Sequence, residues 1–301
     1  MKNNANSSVS SVPSVPSVPA CACADKNAAR LEKMRRNLEK LENEAYAILA
    51  KSELTPFDRI RLLQLLNIAY HTSGKIETIA SIDGTATCEF CEKMRNAANN
   101  NELIICGYCY AFADAWKEAA FRRHKLNALI LSSVLFTEKE LQTLFIPSMF
   151  CRINEDGDTV NAVHAQNILR IAKTHELIRF GYWFKNVPAV AQALKNEGIE
   201  KRSQLPVNVV FVQSSLLIGI PAVPAWFSDC IFTVFPDAET TENAIACGAF
   251  ECNGRKCRDC GYNCYMHKRS ENVQYIAEYL RTNAAKRASI VKAYKAYIAS
   301  K

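Results

Sequence analysis

Glycine and proline are scarce, with 10 of each in 301 residues. That excludes a collagen-like repeat and leaves little material for long irregular loops. Long hydrophobic runs are missing too. The most apolar stretch, Val207 to Pro236, is interrupted by Asn208, Gln213, Ser214, Pro221, Pro224 and Asp229, so no segment reaches the length of a membrane span. The first twenty residues are rich in Ser, Val and Pro, with SVP three times in succession, and lack the apolar block of an export signal. A reducing, cytoplasmic compartment is therefore expected, with no membrane partner. The five histidines show no mutual spacing that suggests a site, and only His267, near a cysteine cluster, is a candidate ligand. Nucleophile elbow, phosphate loop and metalloprotease helix are all absent.

Cysteine, by contrast, is plentiful: the chain has 13. In a reducing compartment that number argues for metal or redox chemistry rather than a disulfide framework. Hydrophobic residues at 49% and charged residues at 22% are ordinary for a folded domain, so a buried core is expected. The net charge of +7 is uneven. Residues 255–301 hold eleven Lys and Arg against Asp259, Glu271 and Glu278, a balance of +8 that leaves residues 1–254 at −1. Such a tail suits either a solvated helix face or a phosphate backbone, so a nucleic acid is its candidate partner.

Residues 1–25 read as a disordered leader, because Ser/Pro repeats bury too little surface to offset ordering entropy. A helical extension follows over 26–73. Leu31, Met34, Leu38, Leu41 and Ala45 recur at helical spacing within 28–50. Pro56, with Thr55 as N-cap, opens a second helix through about Tyr70. Residues 74–246 read as an α/β core. Strands are predicted at 76–82, 149–153, 178–183, 207–213 and 230–235, and helices at 111–125, 160–173 and 187–196. This alternation implies βαβ units and a parallel sheet, either a partial (β/α) barrel or an open sheet. A Cys-rich module occupies 247–268, and the basic region 269–301 is read as one final helix over about 272–300.

Ligands of such sheets collect beyond the carboxyl ends of the strands. The residues there include Asp156, Gly157 and Asp158, then Lys185, then Ser214 and Ser215. Asp156 to Asp158 would contact a cofactor amine or ribose, or else form a turn in which Asp158 caps the next helix. Lys185 would hold a carboxylate or phosphate, or face solvent. Ser214 would donate to a ligand, or cap the following segment. Cys151 and Cys230 fall in strands and read as core thiols.

Two cysteine sets carry the metal argument. Cys88 and Cys91, then, after fourteen intervening residues, Cys106 and Cys109, form a CxxC…CxxC set. Two such turns can converge on one soft metal centre, zinc or an iron–sulfur cluster. Cys247, Cys252, Cys257, Cys260 and Cys264 form the second set, one more than a four-ligand site needs. It suits an auxiliary 4Fe-4S cluster or a zinc knuckle.

The run Cys106-Gly-Tyr-Cys109 resembles the tail of the radical S-adenosylmethionine signature, in which an aromatic precedes the last of three cluster-binding cysteines. Glu102 stands where that signature has its first cysteine, so Cys91 or Cys88 would serve. A wider order of motifs runs from Gly74-Lys-Ile, Ser81-Ile, Thr87-Cys88 and Cys106-x2-Cys109-Tyr-Ala to Arg152-Ile-Asn-Glu-Asp-Gly-Asp158, Phe184-Lys185, Val207–Ser215 and the terminal cysteines. Over roughly residues 74–268 it resembles the phage gene-product-eighty-eight family of phages and mobile elements. Asn154 and Thr159 stand where that family often has His and an aromatic. The resemblances imply an iron–sulfur protein with one or two 4Fe-4S clusters, S-adenosylmethionine as cofactor and an external electron donor. The rival expectation is a non-catalytic protein stabilised by zinc at both sets.

Overall fold

The computed structural model describes residues 22–84, 94, 97, 101–108, 118–155, 157–252, 256–261, 263–267, 269, 272–280 and 282–301. The apolar rhythm of the extension folds as helix α1, Ala22–Leu49, which starts within the last residues of the expected leader. Residues 1–21 of that leader lie outside the described residues. Leu38, Ala45 and Ile48 are its buried apolar positions among the described residues. Helix α2, Pro56–Leu65, has the expected cap, with Thr55 Oγ1 accepting from the Asp58 amide and Asp58 accepting from the Thr55 amide. It stops short of Tyr70. Leu66 turns extended, the Asn67 amide donates to Asn127 Oδ1 at 2.8 Å, and Ala69–Tyr70 becomes strand β1.

The remaining elements, in chain order, are β2 (Ala80–Ile82), α3 (Glu118–Ser133), α4 (Glu138–Leu141), β3 (Phe150–Ile153), α5 (Ala162–Thr174), β4 (Arg179–Phe184), α6 (Val187–Asn196), β5 (Val209–Ser214), β6 (Cys230–Phe235), α7 (Ala238–Ala246), β7 (Phe250–Glu251), α8 (Asn263–Met266), β8 (Gln274–Tyr279) and α9 (Ala284–Ala299). One eight-stranded sheet runs in the order β1-β2-β3-β4-β5-β6-β8-β7, with β1–β2 antiparallel and every other pair parallel. The fold is therefore α/β with an open sheet whose edges are β1 and β7, rather than a closed barrel.

Two further expectations need correction. The strand expected over 76–82 shortens to 80–82, because Thr78 takes a left-handed backbone (φ 70°) and turns the chain there. The single helix expected over 272–300 divides. Gln274–Tyr279 is a strand inserted between β6 and β7, and the helix begins only at Ala284, capped by Asn283. The segment QYIAEY contains good helix formers, but the open edge of β6 offers six residues of ladder pairing, Cys230 to Phe235. Of the helix expected at 111–125, residues 111–117 lie outside the described residues, and α3 continues to Ser133.

Side-chain alternation along β4 divides the core. Phe180, Tyr182 and Phe184 enter a large cluster with Ile168 and Ile171 of α5 and Val190 and Leu194 of α6. The crossover helices α5 and α6 pack on each other on that face, with α3 beside α5. Trp183 points the other way, into a smaller cluster with Val210, Val212, Cys230, Cys264 and Tyr265. Parallel sheets need cover on both faces. Here the second cover is the Cys-rich module. α8 lies on β4 and β5, and a Cβ at Gly181 would meet the Cys264 carbonyl and the Tyr265 ring at 3.0 Å. A third cluster, Leu103, Ile218, Leu280 and Ile290, seats α9 against the loop after β5.

Candidate metal centre

Two residues past Gly181 on β4, the indole of Trp183 lines a small cavity of about 40 Å³. Its walls come from Arg152 of β3, Phe232 of β6, Phe250 and Glu251 of β7 and Glu278 of β8, with Lys75 from the segment before β2. The remaining wall is the Cys-rich module: Cys252, Cys257, Cys260, Cys264 and Tyr265. Four of the five thiols of the second set thus face one space. Cys247 is not among them; it is exposed at the end of α7.

Backbone ties hold the thiols there. The Cys252 amide donates to the Ala277 carbonyl of β8 at 2.9 Å, and the Cys257 amide to the Lys75 carbonyl at 2.8 Å. Cys257 and Cys260 share a tight turn in which the Cys260 and Gly261 amides donate back to Lys256 and Arg258 carbonyls. Gly261 has φ +71°, and Cys260 Sγ lies 3.2 Å from the Cys257 carbonyl oxygen. Among the described residues, no group of three His, Cys, Asp or Glu side chains is arranged to hold a single metal ion.

The electrostatics are uneven in a telling way. Burial raises the Cys252 thiol above its usual range, and Lys75 opposes that rise. Burial lifts Cys257 to about 11 against the pull of Arg152, and drives Cys264 far higher. Burial also pulls on Lys75, but Cys252 and Glu278 outweigh it and the ammonium is stabilised; its Nζ donates to Glu278 Oε2 at 2.9 Å. The Arg152 guanidinium stacks 4.2 Å above the Trp183 ring. Burial thus favours the protonated form of these three thiols. A thiophilic cation would convert them to thiolates, as metal binding generally does. Lys75 and Arg152 would then offset part of the negative charge. The donor set, the shared space and the two cations fit a thiolate-held centre.

The first cysteine set is described only at Cys106; Cys88, Cys91 and Cys109 lie outside the described residues, as does Asp156. Cys106 is buried in a short 3₁₀ turn, Ile105–Tyr108, docked on the loop after β5 through Ile105 N–H to the Leu216 carbonyl. It therefore sits toward the carboxyl ends of the strands.

Gly157 has φ +89°, a turn conformation that favours glycine. Asp158 is fully buried, and its carboxylate accepts from the amides of Thr159, Lys185 and Asn186 at 2.7–3.1 Å. It stitches the loop after β3 to the loop after β4. The cap of α5 is Asn161, not Asp158. Lys185 holds this junction through its backbone amide. Ser214 ends β5 and is buried, and Ser215 Oγ accepts from the Ala222 amide and pairs with Thr233. His267 is not a lining residue, and its buried Nε2 has no hydrogen-bond partner among the described residues. Cys151 and Cys230 are buried thiols, Cys230 raised by burial to about 12.

One constellation escapes sequence reasoning. His71 Nε2 lies 2.9 Å from Ser81 Oγ and 3.2 Å from Glu155, Ser81 donates to Asp83 at 2.6 Å, and His124 lies 3.6 Å from Asp83. Ser81 has one proton and gives it to Asp83, so His71 Nε2 is the donor to Ser81. These five residues span 71 to 155 with no common spacing; the pairing of β2 with β1 and β3, and His124 of α3 beside Asp83, bring them together. No family model, no curated protein and no solved structure matches this chain.

Proposed function

We propose that this chain is an iron–sulfur protein of the radical S-adenosylmethionine type, with an auxiliary cluster held by Cys252, Cys257, Cys260 and Cys264. The carrying observation is that these four thiols, one buried and three half-buried, line one cavity with two cations, Lys75 and Arg152. A single zinc ion needs four sulfurs about 2.3 Å from one point. An iron–sulfur cluster is commonly held by four cysteine thiolates, the number of thiols that face this space. The cavity is far smaller than the several hundred Å³ of a nucleoside-sized site, so the cofactor-binding role falls to Cys106, Cys109 and Cys91 or Cys88. When bound, such a cluster supplies electron transfer from an external donor.

The chain's own residues supply the setting. Trp183, Phe232, Phe250 and Tyr265 keep the auxiliary site apolar. Lys75 and Arg152 balance thiolate charge. Asp158 and Gly157 shape the carboxyl-edge loops where a cofactor amine or ribose would lie. The basic helix α9, docked at that same end, is the candidate surface for a nucleic-acid substrate.

Protein purified without oxygen is expected to be brown, with thiolate-to-iron charge-transfer absorption and matching iron and sulfide. Cys252→Ser, Cys257→Ser, Cys260→Ser and Cys264→Ser each lose cluster content, and Cys247→Ser keeps it. Formation of 5′-deoxyadenosine under reductant then tests the cofactor assignment. Colourless protein with stoichiometric zinc would reject the iron reading. The structural-zinc alternative it would support is favoured by the tight Cys257–Cys260 turn, a common feature of zinc knuckles.

A further inference from the structure

The segment joining β1 to β2, residues 71–79, runs along one side of the thiol cavity and is fastened across it. It closes on itself through Thr78 N–H to the His71 carbonyl at 2.7 Å and His71 N–H to the Ile79 carbonyl at 3.1 Å. Ser148 Oγ donates to the Thr78 carbonyl and pins the left-handed turn. Ile76 and Ile79 are buried in the cluster that contains Cys264 and Tyr265. Two ties reach the cavity walls, and a third reaches Lys256 beside Cys257. The Lys75 carbonyl receives the Cys257 amide, Lys75 Nζ donates to Glu278 at 2.9 Å, and Lys256 Nζ donates to Glu77 at 2.7 Å. The partners lie on different elements: Cys257 and Lys256 on the cysteine turn, Glu278 on β8.

We propose that residues 71–79 are a strap that shuts the thiol cavity and slows release of its metal, with Lys75–Glu278 and Glu77–Lys256 as its two latches. The inference rests on the metal-centre reading above and adds its means of retention. A chelator must reach a thiolate-bound metal to remove it. Lys75 lines the cavity beside the half-buried Cys252 and Cys257, and its carbonyl ties down the Cys257 amide, so open latches would widen the chelator's approach. The Glu77–Lys256 pair is partly exposed, so its loss alone has a modest effect. Replacing one partner by a like charge adds repulsion.

The test uses the full chain carrying its native metal, mixed with excess of a coloured chelator, and follows metal transfer with time. Glu77→Lys is expected to speed transfer about fivefold, and Glu77→Lys combined with Lys256→Glu to return it to the parent rate. Lys75→Met is expected to speed transfer at least as much, and Lys75→Arg to recover most of the difference. Metal-loaded Glu77→Lys and Lys75→Met proteins that release metal at the parent rate would overturn the strap and leave the metal centre standing. A charge swap that fails to restore the rate overturns it as well, since local damage then explains the loss. Parent protein that carries no metal defeats the metal-centre reading first, before any variant is made, and the strap with it.

Discussion

His164 shows how burial alone sets a residue's chemistry. It is almost fully enclosed in α5, its Nδ1 accepts from the Val160 amide at 3.3 Å, and burial holds its imidazole down to about 4 from the ordinary 6.5. An unfolded chain takes up this proton as pH falls through 6.5, whereas the folded chain resists until about 4. The unfolded state therefore binds more protons in that interval, and stability rises with pH across it. Denaturant melts at stepped pH are expected to show this group costing up to about 3 kcal/mol between neutrality and its lower limit. His164→Gln is expected to flatten that part of the profile; an unchanged slope would place the dependence elsewhere. Nothing in the sequence marked His164, because its burial depends on how α5 meets the sheet. Asp158 was visible as a polar residue after a strand, but its three amide partners come from two loops, so its role as a stitch was not.

At the scale of elements, α9 depends on a single glycine. Gly219 has φ +75°, and a Cβ there would lie 2.4 Å from the Tyr294 ring. Gly219→Ala is expected to cost about 1–3 kcal/mol and to loosen α9 from the loop after β5. Limited proteolysis should then cut the tail sooner than in the parent, while equal cutting would show that the ring moves aside freely. Five core elements, β3, β4, α6, β5 and β6, run close to their predicted limits, because each carries its own signal: β-branched or aromatic runs, or Asn186 and Pro188 at the start of α6. Two of the failures share one cause. Ala69–Tyr70 and Gln274–Tyr279 fall at the ends of expected helices, and sheet pairing with β2 and β6 took them to strand.

The whole molecule is a sheet covered by helices on one face and by a cysteine module on the other. If the module is held by metal, removing that metal should loosen the second cover while α5 and α6 keep the first. Calorimetry is expected to show the melting temperature falling by about 5 °C or more on chelation. Cys264→Ser should mimic that shift and Cys247→Ser should not; an unchanged transition would mean that apolar packing of Tyr265 and Trp183 suffices. No helix among the described residues is long and apolar enough to cross a membrane, in line with the interrupted hydrophobic runs.

The amino-acid sequence alone determined the alternation of strands and helices and the cap at Thr55. Each depends on residues close together along the chain, where spacing and side-chain type suffice. Tertiary structure alone decided that β8 would complete the sheet, that Cys247 would stand apart from its four neighbours, and that Lys75 and Arg152 would face their thiols. Those outcomes join residues as far apart as 75 and 278, and such contacts exist only once the strands have paired and the cover has closed.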